Sequence, residues 1–277
     1  MLLLALDTST RQSSIALCSE DVLYGEYTWQ IGNNHSVELP GSIQRLVAEC
    51  RLTMQDIEAV AVATGPGSFN GVRVAVATAK ALAFALKKPL IGVSTLDSIA
   101  AQQQQWPGPV CAVLEAGRSE LYAGCYRFDE MRGSEGDITY RMQQLGQYQL
   151  LAPQPLAATL QEQAGAWFGV PGERQLPPFL FCGEISVVAR QALRAQMREG
   201  AVFIPNLQSA RRASSLALLA LQRLREGQQD DPLALEPLYL RRPSITTSTR
   251  KRPLLEGASQ RSTAHSTTER EEGALRH

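Results

Sequence analysis

Residues 2–29 read LLLALDTSTRQSSIALCSEDVLYGEYTW, three runs rich in apolar and β-branched residues separated by two short polar links. The pattern predicts strands over Leu2–Leu6, Ser13–Cys18 and Val22–Trp29, and links as short as DTSTRQ and SED join antiparallel neighbours. A doubly wound dinucleotide-binding domain alternates strand and helix from its first element, so three successive strands argue against it.

Working outward, apolar residues recur near helical spacing from Ser36 to Cys50 (Val37, Leu39, Ile43, Leu46, Val47, Cys50), with the regular part placed after Pro40. Thr53 and Asp56 have the spacing of a capping box before a predicted strand Ala59–Ala63. A glycine loop and a long helix stopped by Pro89 follow, then a strand Leu90–Val93 and a helix capped by Ser94 or Thr95 that fades into Gln102–Gln105 and the turn WPGP. A second strand group begins there: Val110–Leu114, Leu121–Phe128 and, after a Pro- and Gly-rich insertion, a short third strand Leu180–Cys182. Ser214–Arg225 is a late amphipathic helix. This order, β-β-β-α-β-α and then a second strand group, describes an α/β chain built from two ribonuclease-H-like halves, the actin/Hsp70/sugar-kinase architecture, with a cleft between them. The expected division is 1–105 for the first lobe, 106–243 for a smaller second lobe and its closing helix, and a disordered tail over 244–277, poor in large apolar residues.

The segment AVATGPGSFNGVRVAV (61–76) is a strand, a loop holding Gly65, Gly67, Ser68 and Gly71, and a helix start carrying Arg73. Glycines without Cβ let backbone N–H groups face outward, and a helix N-terminus leaves unpaired donors, so the loop has the geometry to hold an anion or a partner's acceptors. It is not a P-loop, because Gly71 is followed by Val72 and Arg73 rather than Lys and Ser or Thr. It is one residue too long for a dinucleotide fingerprint, and no acid stands at Pro89–Val93. A tight strand-to-helix turn is the other reading, and both stay open on spacing alone.

The 277 residues are 44% hydrophobic, enough for a substantial core, and Lys+Arg equals Asp+Glu at 27 each. The global field thus gives no reason to expect direct nucleic-acid binding. The charge is uneven, however: from Arg241 to His277 stand eight basic and four acidic residues, a net of +4 that leaves −4 upstream. Five cysteines without a C-x-x-C pair fit core thiols in a reducing cytosol. MLLLALD lacks a basic n-region and meets Asp7 after six residues, and the apolar stretch Val72–Leu86 is shorter than a bilayer needs and carries Arg73 and Lys80. A cytoplasmic chain without a membrane partner is the expectation.

The opening LLLALDTST, the segment HSVELPGSIQRL, the loop GPGSFNGVRVAVATAKALA, the stretch IGVSTLDSIA and the late EPLYLRR resemble the TsaB (YeaZ) family, partners in making threonylcarbamoyladenosine beside the tRNA anticodon. The resemblance covers most of residues 1–128 and returns near 235–242. It implies a non-catalytic, actin-like subunit that pairs with a catalytic paralogue, TsaD, and through it with the ATPase TsaE, and that meets tRNA only indirectly. A homodimer is the competing assembly. No cofactor is implied.

The residues can be weighed against that. TsaD-type chemistry needs a metal on paired helix histidines, whereas this chain holds only His35, His265 and His277, with no H-x-x-x-H pair, so a metal site is not expected. Asp7, Thr8 and Ser9 form a fair first phosphate loop, and with Gly65, Gly67, Ser68 and Arg73 they are the candidate anion- or nucleotide-contacting residues. The alternative for Asp7 is a strand-end carboxylate bonding nearby amides. The matching second loop, Glu115-Ala116-Gly117-Arg118-Ser119, lacks an Asp-x-Gly-Thr pattern, and an adenosine-holding Gly-Gly is reduced to Cys182-Gly183-Glu184. On the long helix Gly71, Ala75, Ala79 and Ala83 form a small-residue ridge, with Val72, Val76 and Leu82 on other faces. These residues, with Ile43 and Leu46 of the preceding helix, are the expected partner interface. Two rivals remain: an active ATPase or small-molecule kinase of the same fold, and a metalloprotease, against which the missing H-E-x-x-H speaks.

Overall fold

The computed structural model describes residues 1–30, 35–133, 136–168 and 177–241. The chain runs β1 (Leu3–Asp7), β2 (Gln12–Cys18), β3 (Leu23–Gln30), α1 (His35–Glu49), β4 (Ala59–Ala63), α2 (Phe69–Leu86), β5 (Leu90–Val93) and α3 (Thr95–Ala101). It then repeats that order with β6 (Val110–Gly117), β7 (Glu120–Arg132), β8 (Ile138–Leu151), α4 (Pro153–Phe168), β9 (Phe179–Glu184), α5 (Val187–Met197), β10 (Ala201–Phe203) and α6 (Ala213–Arg225). The sheets are ordered β3-β2-β1-β4-β5 and β10-β9-β6-β7-β8, the same arrangement twice. In each, the first three strands are antiparallel and the last two run parallel to the first. This is the ribonuclease-H-like half, duplicated, and hence the actin/Hsp70/sugar-kinase class.

The two central strands of the first sheet, LLALD and AVAVA, are buried on both faces, which is why they read as unbroken apolar runs. Their alternation sorts the layers. Leu4, Leu6, Val60 and Val62 face α1 and α2, where Leu39, Ile43, Leu46, Val72 and Val76 meet them. Leu3, Ala5, Ala59, Ala61 and Ala63 face the other way and are covered by Leu216, Ala217, Ala220 and Leu221 of α6. The alanines on that face allow α6 to lie close to the sheet. Reciprocally, Leu96, Ile99 and Ala100 of α3 cover Val110, Ala112 and Leu114 of the second sheet. Each half's last helix thus closes the other half's sheet.

The first three strands, α2 and the Thr53–Asp56 box stand where the sequence predicts them, the box with Asp56 Oδ2 accepting from both Thr53 N and Oγ1 at 2.7 Å. Other expectations need correction. Pro40 lies inside α1 rather than before its regular part. The second group's third strand is the 14-residue β8, and Leu180–Cys182 belongs to the fourth, β9. β8 escapes a periodicity reading because Gln, Thr and Arg fill six of its fourteen positions, with Gly146 at a positive φ. α4 escapes because it opens on Pro153 and Pro155, which a first helical turn accommodates with little loss of hydrogen bonding. The side chain of His35, together with His265, His277 and the expected tail, lies outside the described residues. Among the described residues α2 is the one helix long and apolar enough to cross a membrane, but its inner face builds the first core.

Candidate functional site

Asp7 is the last residue of β1. Its side chain is buried, and both oxygens are engaged: Oδ1 accepts from Ser9 N at 2.8 Å and Ser9 Oγ at 2.6 Å, and Oδ2 from Arg211 Nε at 2.9 Å. Thr8 Oγ1 donates to the Gly71 carbonyl at 2.7 Å. The Asp7-Thr8-Ser9 turn therefore spends its side-chain polar groups inside the chain.

Arg211 occupies the position across from it. The guanidinium is completely buried; Nε meets Asp7, Nη1 meets Thr10 Oγ1 at 2.6 Å and the Glu184 carboxylate, and Nη2 meets the Gln12 carbonyl. Asp7 belongs to the first sheet and Glu184 to the second, so one planar fork ties the two halves together. The first turn of α6 depends on the same region, since Ser14 Oγ accepts from Ala213 N at 3.0 Å and Glu26 Oε1 from Ser214 N at 2.8 Å.

The glycine loop folds onto the Asp7-Thr8-Ser9 turn. Ser68 N donates to the Ser9 carbonyl at 2.5 Å, and a Cβ at Gly67 or Gly71 would overlap the carbonyl oxygens of Ser9 and Thr8 respectively. These glycines thus serve close backbone approach, the strand-to-helix-turn reading. Gly65, at φ +103°, is held by Thr95 N bonding its carbonyl at 2.8 Å. Ser68 caps α2 by accepting from Gly71 N at 3.4 Å, and Arg73 points outward over the Phe69 ring at 5.1 Å. In the second half, Glu115 accepts from Ser186 N at 2.8 Å, Arg118 and Ser119 form the left-handed tip of the β6–β7 hairpin, and Gly183 lies against the Val113 backbone at φ +107°. Among the described residues no group of three His, Cys, Asp or Glu side chains is placed to hold a metal.

The small-residue ridge faces the protein's own interior, which corrects the expectation that it meets a partner. Gly71, Val72, Ala75, Val76, Ala79 and Ala83 are buried, and Ile43 and Leu46 pack with all of them but Gly71 in one core; Leu82 is half-buried beside them. The reason is that α2 packs on β1 and β4, and small side chains let a helix sit low on a sheet. What α2 turns outward is Arg73, Ala77, Ala81, Phe84 and Ala85, with Phe84 82% exposed.

Two features had no signal in the sequence. Arg211 stands in the pair Arg211-Arg212 ahead of a helix and reads as a solvated cation. Asp97 on α3 accepts from Tyr126 Oη at 2.8 Å and Tyr148 Oη at 2.6 Å, linking α3 to β7 and β8, and burial holds its carboxyl above the usual range against the lowering effect of those hydrogen bonds.

A family model described as "TsaD: tRNA N6-adenosine threonylcarbamoyltransferase" matches residues 30–249. The chain is 38% identical over 128 residues to the tRNA threonylcarbamoyladenosine biosynthesis protein TsaB of Bacillus subtilis, a match spanning 46% of this chain and 56% of that protein. It is 29% identical to the TsaB protein of Escherichia coli over 87% of this chain and 95% of that one. Among solved structures, YeaZ from Pseudomonas aeruginosa superposes with a TM-score of 0.63 at 26% identity, over 86% of this chain and 100% of the other. Matched by a family model over most of its length and sharing its fold with YeaZ across that whole chain, this protein belongs to the TsaB (YeaZ) family, within the group that the TsaD model describes.

Proposed function

We propose that this chain is a non-catalytic structural and allosteric subunit in the threonylcarbamoylation of the adenosine next to the tRNA anticodon. It acts in the cytoplasm by dimerising with a TsaD-like catalytic paralogue and, through it, with a TsaE-like ATPase. The similarity to biosynthesis proteins for that modified nucleoside supports the process. The observation that carries the non-catalytic reading is the Arg211 fork: a buried guanidinium stands between Asp7 and Glu184, where an actin-like enzyme would place nucleotide phosphates and their cation. The glycine loop, closed onto Ser9 and Thr8, supports the same reading. The partner surface is assigned to the outward side of α2, where Ala77, Ala81 and Ala85 give a shallow small-residue track beside the exposed Phe84.

The test is copurification of a tagged chain with TsaD, together with tRNA modification by the mixture and ATP turnover by the chain alone. A stable complex that modifies tRNA faster than TsaD alone, with no turnover by the isolated chain, is expected. Turnover by the isolated chain that Asp7→Ala abolishes would overturn the reading in favour of an ATPase or small-molecule kinase.

A further inference from the structure

Two adjoining cavities lie against α6. The larger, about 370 Å³, is lined by Phe128 and Met131 of β7, Ile138 and Met142 of β8 and Leu218 of α6. Met131 is 42% exposed, Ile138 53% and Leu218 48%, so three large apolar side chains open into one space. The smaller, about 190 Å³, is lined by Ser94 and Asp97 at the start of α3 and by Arg223 and Glu226 at the end of α6. Met142, Leu219 and Gln222 line both, so the two together have an apolar body and an acidic end. At that end a carboxylate lacks a cation. The hydrogen-bonding neighbours of Asp97, namely Tyr126, Tyr148 and Ser94, are all neutral, and among the described residues it makes no ion pair. Arg223 lines the same cavity but is engaged elsewhere: Nη2 pairs with Asp230 at 3.4 Å, Nε donates to Gln228 at 3.2 Å and Nη1 to the Gly92 carbonyl. Burial outweighs the lowering effect of Arg223 and the hydroxyls, as expected of a carboxylate short of a counter-ion. The larger cavity offers a cation no such place, because Arg141 is exposed there and Glu20 is paired with Arg225 at 2.8 Å.

We propose that these cavities bind a primary amine with an apolar body, its ammonium group on Asp97 and its body running past Met142 and Leu219 into the larger cavity. The volume suits a small ligand, for which pockets begin at about 300 Å³. The inference goes beyond the partnership proposed above and does not rest on it, since no residue of α2 lines either cavity.

The probes are octylamine, octanol and octanoate, each titrated into the full chain by isothermal calorimetry near neutral pH. Octylamine is expected to bind about tenfold more tightly than octanol, the scale of one charge-assisted hydrogen bond. Asp97→Asn is expected to bring octylamine to the level of octanol and to leave octanol unchanged. Leu218→Trp, at a half-exposed position that tolerates a larger ring, should weaken both by about tenfold, the equivalent of about two methylenes kept out of the cavity. Circular dichroism checks each variant, and the comparison of probes with Leu218→Trp decides the matter should Asp97→Asn misfold. Absence of octylamine binding, equal affinity for the amine and the alcohol, or unchanged affinities in Leu218→Trp would overturn the proposal. An amine preference that survives Asp97→Asn would also overturn it, as would tightest binding by octanoate, which would put the charged head on Arg141 instead.

Discussion

Arg211 shows how one residue can tie two sheets together. Removing one partner of a buried ion pair strands the other charge, so Arg211→Met is expected to destabilise by about 3–5 kcal/mol, read as a fall in the urea midpoint. Because Glu184 keeps partial access to water, the uncompensated charge is mainly that of Asp7. Asp7→Asn/Arg211→Met should therefore be less destabilised than Arg211→Met alone, and equal losses would refute the coupling. At Gly71 the cost is steric: Gly71→Ala sets a methyl against the Thr8 carbonyl and should cost about 3 kcal/mol, the upper end for overpacking. Asp97 gives a pH signature. Burial raises its folded pKa above the unfolded value, so the folded state holds the proton more tightly in the interval between them. Its contribution to stability is then greatest at or below the unfolded pKa and declines as pH rises through the folded one. Asp97→Asn, which cannot ionise but keeps an acceptor for Tyr126 and Tyr148, should flatten the melting temperature over that interval. An unaltered pH profile would rule Asp97 out as its source.

At the scale of the element, α2 has two small-residue faces with different roles. Gly71, Ala75, Ala79 and Ala83 lie on the sheet, and Ala77, Ala81 and Ala85 lie outside. Ala79→Glu would bury an unpaired carboxylate and should cost several kcal/mol, about enough to unfold the isolated subunit. Ala81→Glu meets water, should leave circular dichroism and melting unchanged, and should prevent coelution with TsaD on gel filtration. A folded Ala81→Glu chain that still coelutes would remove the partner from this face.

At the scale of the molecule, the exchange of α3 and α6 makes each half depend on the other. A fragment of residues 1–105 would expose Leu3, Ala5, Ala59, Ala61 and Ile91 where α6 belongs. It is expected to give no cooperative melting transition and to be digested rapidly by protease, while residues 1–243 melt cooperatively. Cooperative unfolding of the 1–105 fragment would show that α6 is dispensable to the first sheet.

Much of the first half is legible in the sequence because its rules are local. Strict apolar runs set β1 and β4, Ser94 caps α3 through its own side chain, and α2 stops at the left-handed Lys87, two residues before Pro89. Together with the short links after β1 and β2 these determine three antiparallel strands followed by parallel ones, and hence the fold class. Which face of α2 is buried was not legible, since both carry alanines at the same spacing and only the position of the sheet distinguishes them. β8 and the two α/β crossovers of the second half depend on packing that supplies what their polar, proline-bearing sequences lack. The clasp between the halves was decided by tertiary structure alone: Arg211 and Asp7 are separated by two hundred and four positions, and a solvated arginine becomes buried only when α6 crosses to the other half's sheet.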